Sequence, residues 1–108
     1  MNGIKKLNTV EDYENFLKNH QIAIVKISAV WCGPCRVLEQ TILNLDNAKL
    51  KDAAFGEIDA DSEAFEDTLA KLNVRGIPVM IYYKDGVEAQ RSVGNVTADD
   101  IYNRISTL

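Results

Sequence analysis

From its sequence the chain is expected to adopt an α/β fold, a mixed sheet with helices on both sides, and three observations carry that expectation. Strand-like and helix-like segments alternate from Ile4 to Lys71, the pattern of strands joined by helical crossovers. The run IAIVKIS, Ile22 to Ser28, is apolar and β-branched almost throughout, as a strand covered on both faces reads. Beyond it, two further strands meet at Lys84-Asp85-Gly86, a tight turn suited to antiparallel neighbours.

Ile4 to Leu7 is expected to form a short first strand. Thr9 then opens a helix as its N-cap, with Asp12 three positions on and Val10, Tyr13, Phe16 and Leu17 along one face. After Ile22 to Ser28 comes WCGPC, where Pro34 opens a second helix expected to reach about Leu50. Val37, Leu38, Ile42 and Leu45 supply its apolar stripe. Phe55 to Asp59 reads as a strand and Ser62 to Lys71 as a helix. Val79 to Tyr83 and Val87 to Val93 form the hairpin. Thr97 caps a last helix, with Asp100 three residues later and Ile101 and Ile105 facing inward. The predicted order is βαβαβαββα.

The 108 residues fit one domain, 1–108, and a core of that size needs no metal or disulfide staple, which become necessary mainly below about 40 residues. No apolar run approaches the ~20 residues that cross a bilayer. The start, MNGIKKLNTVEDYENFL, lacks the uninterrupted apolar stretch of a secretory signal. A cytoplasmic protein without a membrane partner is therefore expected. The net charge is −4 with no cluster of Lys or Arg, so nucleic-acid binding lacks its electrostatic footprint. The acidic run Glu57, Asp59, Asp61, Glu63, Glu66 and Asp67 reads as a solvated face and helix start, with a docking patch as the other reading.

The two cysteines, Cys32 and Cys35, stand three positions apart, which points to redox chemistry or metal binding rather than a secreted disulfide scaffold. At i and i+3 on a first helical turn their side chains share a face, within reach of a disulfide. Cys32 sits where strand becomes helix, so free backbone N–H groups and the positive helix end stabilise its thiolate. An open Cys32 thiolate attacks a substrate disulfide, and Cys35, one turn deeper, resolves the mixed disulfide. Gly33 leaves room for a substrate backbone, and Pro34 pre-sets the helical φ while lacking an N–H. A structural zinc site would want four Cys or His ligands. The chain adds only His20, far off in sequence, so no metal is expected and His20 reads as a helix-terminus residue.

Other positions carry two readings each. Pro78 after Ile77 marks a strand start or a special peptide bond, with trans the default. Gly76 and Gly94 are permissive backbone points, by themselves ordinary turn residues. Trp31 is either core or, beside a catalytic turn, a rim that excludes water and guides substrate. Lys26 interrupts the most buried strand. Either its stem lets the ammonium reach water, or it pairs with an acid on a neighbouring strand, because an unpaired buried charge costs several kcal/mol.

WCGPC at 31–35, RGIP at 75–78, KDG at 84–86 and the glycine at 94 together resemble the thioredoxin family, in order and at family spacing from about Ile4 to the C-terminus. The resemblance implies the thioredoxin fold, a central five-stranded mixed sheet flanked by four helices, with a cis bond before Pro78. It implies a substrate groove at Trp31, Gly76, Ile77, Pro78, Val93 and Gly94. It also implies a monomer that needs no bound cofactor beyond its Cys32–Cys35 disulfide, acts on disulfide-containing proteins, and is recharged by thioredoxin reductase, an NADPH-dependent flavoprotein.

Departures from the family pattern stand out. Positions 26 and 57 resemble those of the family's buried aspartate and the lysine that pairs with it, and here they hold Lys26 and Glu57, the same two charges exchanged. Ser28 replaces a usual tryptophan, and Gln40 a helix-kinking proline. A charged Lys26 close to Cys35 would favour the Cys35 thiolate and the reduced dithiol, raising the potential, while tight pairing with Glu57 would blunt that effect. The function expected is thiol–disulfide oxidoreductase reducing protein disulfides. The alternatives are a binding module or assembly subunit on the same fold, and a thiol oxidase or isomerase using the same site.

Overall fold

A computed structural model describes residues 3–108. The strands are β1 (Ile4–Lys6), β2 (Ile22–Ser28), β3 (Ala54–Asp59), β4 (Val79–Lys84) and β5 (Val87–Val93). The helices are α1 (Val10–Asn19), α2 (Gly33–Leu43), α3 (Glu66–Lys71) and α4 (Ala98–Ser106), with short 3-10 turns at Asn47–Lys49 and Glu63–Phe65. All five strands form one sheet in the order β1-β3-β2-β4-β5. β3 runs parallel to both β1 and β2, and β4 runs antiparallel to β2 and β5. The expected mixed sheet and the expected element order are both present.

Period-two alternation along β2 distributes its side chains to two cores. Ala23, Val25 and Ile27 pack with Tyr13 and Phe16 of α1 and with Phe65 and Leu69. Ile22 and Ile24 pack with Leu38 and Ile42 of α2 and with Ile101 and Ile105 of α4. Every residue of β2 is buried, as a strand covered on both faces must be. On the α1 side, the hydroxyls of Tyr13 and Tyr83 lie 2.7 Å apart, which satisfies two phenols that burial would otherwise strand.

Local chemistry sets the element ends. Thr9 Oγ1 accepts from the Asp12 N–H at 3.0 Å while Asp12 Oδ2 accepts from the Thr9 N–H at 3.2 Å, a reciprocal cap. Thr97 accepts from the Asp100 N–H in the same way at the head of α4. Asp85 and Gly86 both take positive φ, 51° and 81°, as a two-residue hairpin turn requires.

Four sequence expectations need correction. α2 stops at Leu43 rather than about Leu50. The Asn44 N–H and side-chain amide both bond the Gln40 carbonyl, and Asp46 caps a separate turn through the Ala48 N–H, so polar side chains compete with the helix ladder. Val37 faces solvent instead of the core, at 58% exposure, because the buried stripe is carried by Cys35, Leu38 and Ile42. The helix expected from Ser62 begins as a 3-10 turn and becomes α-helical only at Glu66. β1 ends at Lys6, although Leu7 still donates its N–H to the Glu57 carbonyl.

Candidate active site

The C-terminal end of β2 delivers the chain directly into α2, and Cys32 is the N-cap of that helix. Cys32 and Cys35 are joined as a disulfide, with their Cα atoms 5.3 Å apart. Cys32 Sγ accepts a hydrogen bond from the Cys35 N–H at 3.2 Å. That sulfur therefore lies where unpaired amides and the positive helix end favour negative charge. Pro34 occupies the first helical turn, where a missing N–H removes nothing from the ladder. Gly33 has open space where a side chain would begin.

Cys32 is less accessible than an open nucleophile was expected to be: it is 4% exposed, against 2% for Cys35. In the disulfide its sulfur turns inward to bond Cys35 and accept the Cys35 amide, and Ala29 and Ile77 pack around the pair. The rim around it is exposed and apolar. Val30 is 79%, Trp31 66% and Val93 68% exposed, so Trp31 lies at the surface and not in the core. Ile77-Pro78 is a cis peptide. Pro78 accepts from the Gly94 N–H at 2.8 Å, which ties the prolyl loop to the end of β5. Gly94 itself takes φ 83°, a conformation that favours glycine. Gly76 is exposed with open space around it.

Lys26 pairs with an acid on the neighbouring strand. Its Nζ donates to Glu57 Oε2 at 2.8 Å, across directly registered positions of β2 and β3. Ser28 Oγ also donates to Glu57 Oε2 at 2.8 Å and accepts from Lys26 Nζ at 3.3 Å. Burial pushes the Glu57 carboxyl up, but the hydrogen bonds from Lys26 and Ser28 and the charges of Lys26 and Lys6 outweigh it, holding Glu57 below the ordinary carboxylate range. A pocket of about 510 Å3 opens beside this group, bordered by Lys26, Ser28, Glu57 and Cys35.

Two contacts were not legible from the sequence. Trp31 Nε1 donates to Asp61 Oδ2 at 2.7 Å, although Asp61 reads only as part of a solvated acidic run. The one hint is that an indole N–H beside a structured turn needs an acceptor. Arg36 Nη2 donates to the Val30 carbonyl at 2.5 Å, bracing the loop before Cys32 against α2. His20 lies at the end of α1 with its ring against Phe16, 4.9 Å between centroids, remote from the cysteines in sequence. Among the described residues, no group of three or more His, Cys, Asp or Glu could hold a metal ion, and no helix is long and apolar enough to cross a membrane.

A family model described as Thioredoxin matches residues 4–107. The putative thioredoxin-5 of Dictyostelium discoideum is 35% identical over 95 residues, covering 83% of this chain and 85% of that protein. Thioredoxin O2, mitochondrial, of Arabidopsis thaliana is 35% identical over 72 residues, which cover 67% of this chain and 45% of that longer protein. The crystal structure of mitochondrial thioredoxin 3 from Saccharomyces cerevisiae, in its oxidized form, superposes with a TM-score of 0.82 at 25% identity, covering 97% of this chain and 95% of that one.

Proposed function

This chain belongs to the thioredoxin family and is a thiol–disulfide oxidoreductase, and we propose that it works as a reductase of protein disulfides. The observation that carries the reading is the bonded pair at the head of α2, with Cys32 Sγ held by the Cys35 amide. In the reduced form the Cys32 thiolate attacks one sulfur of a substrate disulfide. A new S–S bond forms to Cys32, the substrate bond breaks, and its electron pair leaves on the second substrate sulfur. Cys35 then loses its proton and attacks Cys32 Sγ. The Cys32–Cys35 bond forms, and the substrate departs with both sulfurs reduced.

Trp31, Ile77, Pro78, Val93 and Gly94 line the approach to Cys32, and Gly33 and Gly76 leave it open for a substrate backbone. The extended, apolar character of the rim supports this reading. Lys26 acts as a positioning residue for the couple: a cation bordering the same pocket as Cys35 favours the dithiolate, tempered by its pairing with Glu57. Family membership supports electron supply by thioredoxin reductase, with no cofactor beyond the disulfide. A cytoplasmic, monomeric electron carrier completes the proposal, although related proteins named above include mitochondrial ones.

The test is insulin reduction coupled to NADPH and thioredoxin reductase. Turnover that vanishes in Cys32→Ser and in Cys35→Ser is expected. A binding module would be indifferent to both changes, and an oxidase or isomerase would reshuffle disulfides without consuming NADPH.

A further inference from the structure

β5 is an edge of the sheet, paired with β4 alone, so part of its backbone faces away from the fold. The Gly94 N–H bonds the Pro78 carbonyl, and from there the register sets Val93 against Val79, Ser92 against Met80, Arg91 against Ile81 and Gln90 against Tyr82. Bonded and non-bonded pairs alternate in an antiparallel ladder. Gln90 and Ser92 therefore bond β4, while Arg91 and Val93 turn their N–H and C=O groups outward. Arg104 Nη1 of α4 donates to that outward Arg91 carbonyl at 3.1 Å.

Sheet edges are protected by brevity, net charge, proline or bulges. β5 runs for seven residues, VEAQRSV, without a proline. Its one acid and one base, Glu88 and Arg91, bridge each other at 2.8 and 2.9 Å, so the strand presents no net charge. The register shift at Tyr82 and Tyr83 disturbs only its first half. From Gln90 to Val93 the ladder is regular and nothing within the strand repels a partner. We propose that Arg104 guards this edge: by occupying the Arg91 carbonyl it stops β5 from pairing with the β5 of a second copy of this chain.

A second copy is the fitting occupant because the stretch is complementary to itself. Turned antiparallel about Ser92, Arg91 of one copy faces Val93 of the other, and the reverse, as a two-fold contact requires. All four residues then offer outward N–H and C=O groups, and each facing pair exchanges both of its hydrogen bonds. Half of those bonds need an Arg91 carbonyl, which Arg104 already holds. The two-fold would also bring two Arg104 guanidinium groups to one joint, where like charges repel. The guard is fixed in place. Arg104 Nε bonds Asp100 Oδ2 at 2.7 Å, its guanidinium lies over the Tyr82 ring at 6.0 Å, and the Gln90 side-chain amide bonds the Arg104 carbonyl at 3.1 Å. Guarding the edge also keeps Val93 uncovered for the groove beside Cys32, a consequence that rests on the reductase reading although the guard itself does not.

The test compares wild type, Arg104→Met and Arg104→Lys by analytical ultracentrifugation from micromolar to millimolar concentration, with amide hydrogen exchange on the same samples. Methionine keeps a stem over the Tyr82 ring but cannot donate, whereas lysine can. Wild type and Arg104→Lys should stay monomeric, with the Arg91 and Val93 amides exchanging about tenfold faster than those of Gln90 and Ser92. Arg104→Met should form a dimer that grows with concentration, and in it the Arg91 and Val93 amides should become as protected as their neighbours. A folded Arg104→Met that stays monomeric overturns the proposal, and so does a dimer in which those two amides still exchange fast. If the methionine variant does not fold, wild type decides. Fast exchange at Arg91 and Val93 in a monomer supports the guarded edge, and equal protection of all four amides, or a wild-type dimer, overturns it. Insulin turnover is read separately: its absence would sink the reductase reading and leave the guard standing.

Discussion

Lys26 Nζ and Glu57 Oε2 lie 2.8 Å apart on adjacent parallel strands, with the lysine side chain 3% and the glutamate side chain 18% exposed. Register makes the pair possible, since residues 26 and 57 face each other directly in the ladder between β2 and β3. Ser28 takes part through the same glutamate oxygen, so one carboxylate oxygen satisfies two donors beneath the active-site helix.

Removing one partner strands the other. Glu57→Gln leaves an ammonium in the most buried strand and should destabilise the protein by about 3 kcal/mol, as broken buried pairs do. Replacing both, as Lys26→Met with Glu57→Leu, should return stability to within about 1 kcal/mol of wild type or above it. Urea unfolding of the three proteins checks this, and a double variant as unstable as the single one would contradict it.

The same carboxylate makes stability depend on pH. Glu57 ionises below its ordinary value in the folded chain, because Lys26 and Ser28 hold its charged form more strongly than burial penalises it. Its contribution is present above the unfolded value of about 4.3 and is lost as pH falls through the lower folded value. Wild type should therefore lose stability on acidification faster than Glu57→Gln, and the gap between them should narrow below about pH 4. Unfolding midpoints measured from pH 7 downward read this out; a gap that widens in acid would contradict the assignment.

Exchanging the two charges should shift the couple. Lys26→Asp with Glu57→Lys keeps the pair but places a carboxylate on β2 at the pocket that Cys35 borders. Like charge then opposes a thiolate on Cys35, and the disulfide becomes harder to reduce. Redox titration against glutathione should show a lower potential than wild type. A potential unchanged or raised would count against Lys26 as a tuning residue.

Asp61 anchors the exposed indole. Trp31 is the chain's only tryptophan, so its emission reports the rim directly, and its N–H is held by Asp61 at 2.7 Å. Asp61→Ala should free the ring, weakening the binding of protein substrates several-fold in KM while leaving kcat nearly unchanged. Steady-state insulin reduction, with Trp31 fluorescence anisotropy alongside, separates this from a general loss of structure.

Much of the fold could be read from residues because its signals are local. The bounds of β2 and β5, the Thr9 and Thr97 caps and the Asp85-Gly86 turn each rest on a few neighbouring side chains. The end of α2 was less legible, since Asn44 and Asp46 act through side-chain bonds that propensity does not register. At the site, the cysteine spacing announced itself, and a lysine within an apolar run pointed to a partner. The Trp31–Asp61 bond, the inward turn of Cys32 and the pocket beside Cys35 depend on how distant segments meet, and no spacing in the sequence encodes them.

The roles assigned to the two sulfurs can be separated by interrupting the exchange halfway. Cys35→Ser, reduced and mixed with insulin, should accumulate a stable covalent complex joined through Cys32, because no second thiol remains to release it. Cys32→Ser should form none. A complex that forms through Cys35 in the second variant, and not through Cys32 in the first, would overturn the assignment of Cys32 as the sulfur that meets the substrate.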